Sequence, residues 1–279
     1  MRTFRYVIAD VFTDTPLAGN QLAVFTDARD LDTATMQALA LEVGFSESVF
    51  VLSPEGDGHV RIRIFTPTYE LPFAGHPTLG AAFVLAAPMQ LGVINIETGM
   101  GVVPVELERA QSGKIVFGRM VQPVPTVEEF EGAEELLAAI GVEKAELPVE
   151  LYDNGATHLL VALESVEQVA ALEPDLAAII ACGVTGVSCF AGAGDRWTTR
   201  MFWAGGEDAA TGSAAGPIAC HLARHGKIGW GDEIVISQGA AIGRPSTLYA
   251  RAEGSGGLID RVEVGGQAVT VARGEFQVP

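Results

Sequence analysis

The sequence has few cysteines, few basic residues and no long hydrophobic run. Its three cysteines, Cys182, Cys189 and Cys220, lie outside any CxxC spacing, so we expect buried reduced thiols rather than a disulfide framework or a zinc site. Lys and Arg number 17 against 35 Asp and Glu, which gives a formal charge of −18. Such acidity argues against partners such as nucleic acid or an anionic membrane surface, because both require basic patches.

Several familiar signatures are also missing from this chain. The five histidines form no HExxH pattern, and there is no Walker A loop, no GxGxxG turn between a strand and a helix and no GxSxG elbow. The longest apolar runs, such as 79–88, fall short of the roughly 20 residues that cross a bilayer. Arg2 and Arg5 precede no signal-like run. We therefore expect a cytoplasmic protein with no metal site.

What is present indicates long strands and few helices. Hydrophobic residues make up 48% of 279 residues, enough for one large domain or two of ordinary size. Alternating or continuous apolar patterns predict strands over most of the chain. Between them, Asp32 can cap a helix that runs to about Val43 and ends at Gly44. Ala133–Ile140 reads as a second short helix.

The central stretch of the first half is Glu70–Gly80. Pro77 is suited to the first position of a helix, and the small apolar residues of 78–87 predict a helix buried on all sides. The start of this helix would point free backbone N–H groups and a partial positive charge at whatever lies beside Gly75 and His76. Such a start could be an anion site or a turn that merely enters a core helix. From this stretch alone the two interpretations stand at even odds.

A second stretch of the same kind lies in the other half of the chain, at Glu207–Gly226. There Thr211-Gly212-Ser213 opens another helix of small apolar residues. Two such Gly turns about half the chain apart suggest two related lobes. We predict an α+β fold with lobes at 1–120 (possibly joined by 267–279) and 121–266. Each lobe would be a curled, mostly antiparallel sheet around one central helix.

Taken together, the motifs resemble the PhzF family, which is named for phenazine biosynthesis and has the diaminopimelate epimerase fold. The matching stretches run in order over nearly the whole chain: Gly19-Asn20, Ser46-Glu47-Ser48, 63–67, 70–77, 200–202, Glu207–Ser213, 216–226 and 242–246. The last two look closest to the phenazine-pathway members.

This resemblance implies an isomerase that shifts a proton within trans-2,3-dihydro-3-hydroxyanthranilate and uses neither a metal nor an organic cofactor. It implies a homodimer, with the site in a cleft where the two helix starts converge. Matched motif by motif, it assigns the site residues as follows: Glu47, His76 and Asp208 as catalytic, and Asn20, Ser46, Gly75, Gly212 and Ser213 as substrate-binding.

The residues themselves leave simpler interpretations open. Moving a proton between two carbons needs one group that takes the proton and returns it nearby, and a buried Glu47 could do so. On sequence alone Glu47 would more often be an exposed turn carboxylate. Asp208 could merely cap its turn, Ser213 could be a helix N-cap, and His76 could satisfy a buried helix end. We treat His158, His221 and His225 as structural, because no motif involves them.

Three functions are therefore compared. The first is the cofactor-free isomerase of a small cyclic carboxylate. The second is an epimerase of another small carboxylic acid, which in this fold uses a Cys ahead of each Gly turn, whereas this chain has Ala74 and Ala209-Ala210 there. The third is a non-catalytic binding protein. The retained Glu47, His76 and Asp208 favour catalysis over the third reading.

Overall fold

The structure, a computed structural model, describes residues 1–278. Up to residue 122 the elements are β1 (Arg2–Val11), β2 (Asn20–Phe25), α1 (Thr33–Val43), β3 (Glu47–Leu52), β4 (Val60–Phe65), β5 (Glu70–Leu71), α2 (Gly75–Met89), β6 (Val93–Thr98), β7 (Gly101–Arg109) and β8 (Ile115–Gln122).

The rest of the chain continues the same mixture of long strands and short helices. Its elements are β9 (Thr126–Glu129), α3 (Ala133–Ile140), β10 (Glu150–Asp153), β11 (Thr157–Ala162), α4 (Val166–Ala170), α5 (Leu176–Ala181), β12 (Gly186–Ala193), β13 (Arg196–Trp203), β14 (Gly206–Asp208), α6 (Gly212–Arg224), β15 (Glu233–Gln238), a 3₁₀ turn (Ala240–Ile242), β16 (Ser246–Ser255), β17 (Leu258–Gly266) and β18 (Ala268–Val278). The predicted α+β class is confirmed.

The chain divides into two compact units. Unit 1 comprises Met1–Val121 and the stretch from Gly265 onward, and unit 2 comprises Gln122–Val264. The C-terminal stretch belongs to unit 1 because β18 pairs antiparallel with β1 along nearly its whole length.

Unit 1 surrounds α2 with strands. The helix packs against β1, β2, β3, β6 and β18. Pairing is antiparallel for β1–β2, β3–β4, β6–β7 and β7–β8, and parallel for β2–β3 and β4–β6. Gly80 permits the close approach of α2, because a Cβ there would lie 2.5 Å from Leu22 and 2.7 Å from Val11.

The start of α2 differs from the prediction. The helix begins at Gly75 rather than at Pro77, and Pro77 is the third residue of the helix. Proline is tolerated there because the N–H groups of the first turn have no acceptor within the helix. By contrast, α1 has the predicted ends: Asp32 accepts a hydrogen bond from the Thr35 N–H, and Gly44 ends the helix at φ 70°.

Unit 2 likewise contains one buried helix, α6, which packs against β11, β15 and β16. Its sheet pairs β9–β10, β10–β11, β12–β13, β13–β14 and β15–β16 antiparallel, and β11–β12 and β13–β15 parallel. Gly216 allows close packing in α6, since a Cβ there would lie 2.5 Å from both Gln122 and Val262. Thus each unit packs one helix of small residues against several strands.

Candidate active site

In unit 1, sheet topology brings two of the predicted site residues together. Asn20 is the first residue of β2, and Glu47 is the first residue of β3. Since β2 and β3 run parallel with Leu22 opposite Glu47, both side chains lie at the same end of adjacent strands. Glu47 is not the exposed turn carboxylate that the sequence alone favours, because its side chain is only 18% exposed.

His76, the second residue of α2, completes this group. Its Nδ1 lies 3.7 Å from Glu47 Oε2 and 3.4 Å from Asn20 Nδ2. The Ser46 hydroxyl in turn donates to Asn20 Oδ1 at 3.3 Å. The sequence-predicted residues Ser46, Asn20, His76 and Glu47 therefore form one connected polar cluster, and Gly75 directly precedes His76 in the helix.

The imidazole of His76 is neutral at physiological pH. Burial lowers the pKa of His76 to about 3, and a backbone hydrogen bond at Gln21 opposes this only in part. Its contact with Glu47 is therefore a close approach of a carboxylate to a neutral ring and not an ion pair. Among residues 1–278, the buried His76 Nε2 has no hydrogen-bond partner.

Tyr69 is a neighbour of Glu47 that the sequence analysis did not identify. Burial and the negative charge of Glu47 together raise the pKa of the Tyr69 phenol. Thr66 fixes the turn that carries it: the Thr66 hydroxyl accepts the Tyr69 N–H and donates to the Tyr69 carbonyl, both at 3.0 Å. Tyr69 itself is 44% exposed.

In unit 2, Asp208 ends β14 and is tied to the turn before α6. Its Oδ1 accepts the Ala209 N–H at 3.0 Å and its Oδ2 accepts the Thr211 hydroxyl at 2.6 Å. Gln238 braces the same turn, since its side chain bonds the Asp208 carbonyl, the Thr211 N–H and the Thr211 hydroxyl. These bonds fit the simpler interpretation of Asp208 as a turn cap, and its role in the chemistry stays a prediction.

The start of α6 also differs from the expectation that Ser213 is an N-cap. The cap position is Thr211, the helix begins at Gly212, and Ser213 is its second residue. The Ser213 Oγ is buried and lies 2.9 Å from His158 Nε2. His158, which we had treated as structural, thus contacts a predicted site residue that is 55 positions away in the chain.

Both buried helices begin without side-chain capping. Within the part of the chain that the structure describes, neither Ala74 before α2 nor Thr211 before α6 bonds its side chain to the first turn of its helix. Uncapped first-turn N–H groups and the helix dipole together favour a bound anion. The binding of a substrate by the backbone at Gly75 and Gly212 stays a prediction.

A second polar cluster in unit 2 lies near the other end of α6. Glu150 Oε2 accepts hydrogen bonds from four groups: His221 at 3.0 Å, His225 at 3.2 Å, Arg224 at 2.6 Å and Tyr152 at 3.1 Å. Burial opposes ionisation, but the bonds from His221 and His225 and the Arg224 charge outweigh it and lower the pKa of Glu150 to about 2. Glu150, His221 and His225 are spaced as metal ligands could be, but the Arg224 guanidinium already supplies the positive charge at this carboxylate.

Comparison with known proteins settles the family. The model of the family described as "Phenazine biosynthesis-like protein" matches residues 9–274. The chain belongs to this family. The PhzF resemblance carried by the motifs is thereby confirmed.

Relatives in this phenazine biosynthesis-like family include named isomerases. The chain is 52% identical over 273 residues to a trans-2,3-dihydro-3-hydroxyanthranilate isomerase of Pseudomonas aeruginosa, which covers 97% of this chain and 98% of that protein. It is 34% identical to an uncharacterized isomerase of Mesorhizobium japonicum, with 99% of each chain covered.

Solved structures show the same fold. A PhzF-family phenazine biosynthesis protein of Bacillus anthracis superposes with a TM-score of 0.84 at 26% identity, with 100% of both chains covered. A predicted epimerase of Pseudomonas aeruginosa also gives a TM-score of 0.84, at 32% identity, covering 99% of this chain and 100% of that one. A hydroxyproline epimerase of Agrobacterium vitis shares the fold alone, at a TM-score of 0.69 and 13% identity, covering 98% of this chain and 92% of that one. Across residues 1–278, no helix combines the length and apolarity that crossing a membrane demands.

Proposed function

We propose that this protein isomerises trans-2,3-dihydro-3-hydroxyanthranilate by moving a proton between two carbons of the ring system. The observation that carries the proposal is the half-buried Glu47 beside a neutral His76, in a chain 52% identical to an isomerase of that substrate. The membership in the family makes the reaction class the natural starting point, and the Glu47 cluster supplies a group that can perform it.

Glu47 acts as the general base and then as the general acid. It removes a proton from one ring carbon, which becomes carbanionic or enolic, and returns the proton to a second carbon, so no atom is gained or lost. A single carboxylate suffices if both carbons lie within its reach, and general acid–base catalysis of this kind typically contributes 10²–10⁴-fold to the rate. The partial burial of Glu47 limits proton exchange with bulk water.

His76 is proposed to act in its neutral form. A neutral imidazole can hydrogen-bond a developing oxyanion or enol without delivering a full proton, and it leaves Glu47 as the group that changes protonation state. Asn20 and Ser46 are proposed to hold the imidazole of His76 in place, since Ser46 donates to Asn20 and Asn20 contacts His76 Nδ1. These two residues therefore act on the substrate either directly or through His76.

The substrate carboxylate is proposed to bind at a helix start. Backbone N–H groups at Gly75 or Gly212 and the Ser213 hydroxyl are the donors that suit a carboxylate, and the helix dipole adds to the attraction. Asp208 is proposed to face the amino or hydroxyl group of the substrate, where a carboxylate can accept a hydrogen bond. We also propose that the protein works as a cytoplasmic homodimer without a cofactor.

A second candidate is epimerisation of another small carboxylic acid, which the structural likeness to a predicted epimerase favours. In the two-thiol form of that chemistry a cysteine precedes each Gly turn, whereas here Ala74 and Ala210 stand there. Two of the cysteines remain protonated at neutral pH and so cannot accept a proton, because burial raises the pKa of Cys189 and Cys220 to about 12. The isomerase is therefore the better-supported proposal.

The test is to incubate purified protein with trans-2,3-dihydro-3-hydroxyanthranilate and follow its ultraviolet spectrum and products by mass spectrometry. Protein-dependent loss of the substrate, with condensed products of the unstable ketone, supports the proposal. Proline and hydroxyproline, analysed by chiral chromatography, serve as the epimerase arm of the same experiment. Turnover in that arm alone contradicts the isomerase assignment, and binding without turnover in either arm indicates a non-catalytic protein. Light scattering on a sizing column measures the oligomeric state.

A further inference from the structure

The backbone carbonyl of Ser213 accepts its hydrogen bond from a side chain, because the helix offers no N–H for it. In a regular α-helix the N–H of residue 217 would bond the carbonyl of residue 213, but Pro217 has no N–H. Asn154 Nδ2 takes its place and donates to the Ser213 carbonyl at 2.9 Å. Gln122 Nε2 supports the preceding carbonyl, of Gly212, at 2.8 Å. The first turn of α6 is thus fixed by buried amides.

The side chain of Ser213 is held by a second buried group. His158, on β11, has no exposed surface, and its Nε2 lies 2.9 Å from the Ser213 Oγ. The other buried residues of β11 are Leu159, Leu160, Val161 and Ala162. A histidine in such an apolar strand has a desolvation cost that an apolar residue of similar size would avoid. The hydrogen bond between His158 and Ser213 offsets part of this cost.

The protonation of His158 determines what the Ser213 hydroxyl can do. Burial lowers the pKa of His158 to about 4, so the ring is neutral and carries one N–H. Its Nδ1 has no hydrogen-bond partner among the described residues. The Nδ1–H tautomer would bury an N–H without an acceptor, which is costly, whereas the Nε2–H tautomer leaves only an unused lone pair at Nδ1. In the Nε2–H tautomer the ring donates to Ser213 Oγ, and the hydroxyl hydrogen stays available to another acceptor.

We infer that His158 is a positioning residue: it donates to the Ser213 Oγ and so orients the hydroxyl to donate to a carboxylate oxygen of the bound substrate. This rests on the proposed function, in which Ser213 contacts the substrate. The hydroxyl accepts a hydrogen bond from His158 and donates one to the carboxylate. Because its orientation is fixed, it is a better hydrogen-bond donor to an anion than a freely rotating serine hydroxyl.

The test is a double-mutant cycle with kinetic readout. His158→Leu, Ser213→Ala and the double variant are compared with the wild type for kcat and KM. Because the lost hydrogen bond acts in substrate binding, His158→Leu should raise KM about three- to tenfold with little change in kcat. In the Ser213→Ala background, His158→Leu should have no further effect, because the hydroxyl it orients is already gone. His158→Gln, whose amide N–H can also donate, should recover most of the loss.

Ser188→Ala is the matched control, because Ser188 is a buried hydroxyl on β12, opposite Leu160 of β11. Its removal should leave KM unchanged. An effect of His158→Leu that is equally large with and without Ser213, or a wild-type KM in His158→Leu, overturns the inference, since either result means that the histidine is only structural.

A measurement that needs neither folding of a variant nor turnover keeps the inference separable from the proposed function. Long-range ¹⁵N–¹H spectra of the wild-type protein should show His158 as the neutral Nε2–H tautomer from pH 6 to 8. A neutral Nδ1–H tautomer overturns the inference even if the enzyme is active. Absence of turnover in the wild type contradicts the proposed function instead.

Discussion

Glu47 Oε2 lies 3.7 Å from His76 Nδ1, and the imidazole of this pair is neutral because burial lowers the pKa of His76 to about 3. A carboxylate beside a histidine usually indicates an ion pair, in which the histidine keeps its proton. Here the desolvation of the ring outweighs the backbone hydrogen bond at Gln21, which acts to raise the pKa. The pair therefore has one group that can change its charge during a proton transfer and one that stays neutral.

The neutrality of His76 gives a direct spectroscopic prediction. The His76 ring resonances, assigned by comparison with His76→Gln, should not titrate between pH 5 and 8, because protonation requires a pH near 3. ¹⁵N-detected titration of the histidine side chains is the measurement. A His76 ring that titrates near the ordinary value of about 6.5 would contradict this prediction, because the ring would then become charged beside Glu47 at mildly acidic pH.

Acidification should destabilise the fold through the buried histidines. The pKa values of His76 and His158 are lowered to about 3 and about 4, whereas an unfolded histidine titrates near 6.5. Between these values the unfolded chain binds protons that the folded chain does not. Stability is therefore full above pH 6.5 and falls below it, by about 1.3 kcal/mol per pH unit for each histidine.

Urea unfolding at pH 7, 6 and 5 measures this dependence, and His158→Gln is the comparison variant. With falling pH, the free energy of unfolding of the variant should decrease less steeply than that of the wild type. The two slopes should differ by about 1.3 kcal/mol per pH unit, even if the variant is less stable at pH 7. Equal slopes for the wild type and the variant would show that His158 titrates normally in the folded protein.

The Glu150 cluster should matter for stability rather than for the reaction. Glu150→Gln removes the charge that Arg224, His221 and Tyr152 surround, and leaves a guanidinium without its partner. We expect a loss of about 2–3 kcal/mol, less than for a fully buried pair because Arg224 is partly exposed. Glu129→Gln is the control, since Glu129 is an exposed residue opposite Glu150 on β9. Comparable unfolding free energies for the two variants would contradict the prediction.

Activity should not respond to chelators. Ligand spacing for a metal is absent from the sequence motifs, and in the one three-residue cluster found among residues 1–278 an arginine already sits at the carboxylate. Dialysis against EDTA, followed by an activity assay with and without added Zn²⁺ or Mg²⁺, is the measurement. Loss of activity that a metal restores would require a metal-dependent step.

The sequence predicts those elements whose signals are local. α1 has its Asp32 cap and Gly44 stop, and α3 occupies the predicted residues 133–140, because caps and apolar periodicity act within a few residues. α5 was missed, since its six residues are too few to show a period. β18 extends to Val278 because it pairs with β1 along nearly its whole length, a contact that no local signal indicates. Gly274 interrupts its pattern because a side chain there would meet the Tyr6 ring.

The site was predictable only where a motif marked it. Ser46, Glu47 and His76 stood in recognisable motifs, and the cluster that they form with Asn20 follows from the parallel pairing of β2 with β3. His158 and Asn154 lie in no motif. His158 contacts Ser213 because β11 packs against α6, and Asn154 contacts it from the turn before β11. The sequence specifies neither contact locally. A lone polar residue in an apolar strand was the available signal for His158.

Glu47 is the proposed proton-transferring group, and every step of the proposed isomerisation passes through it. Glu47→Gln keeps the shape of the side chain and its neighbours but cannot take a proton. It should lower turnover of trans-2,3-dihydro-3-hydroxyanthranilate about 10²–10⁴-fold while still binding 3-hydroxyanthranilate with an affinity near that of the wild type. Glu42 is an exposed residue near the C-terminal end of α1. The matched substitution Glu42→Gln should leave turnover intact.

The decisive measurement is therefore the rate of substrate loss, followed by ultraviolet absorbance, for the wild type, Glu47→Gln and Glu42→Gln under the same conditions. If Glu47 transfers the proton, the wild type and Glu42→Gln turn the substrate over, and Glu47→Gln loses nearly all turnover. A Glu47→Gln variant that keeps more than about half of the wild-type rate, against the 10²-fold loss expected of a missing general base, would contradict this role of Glu47.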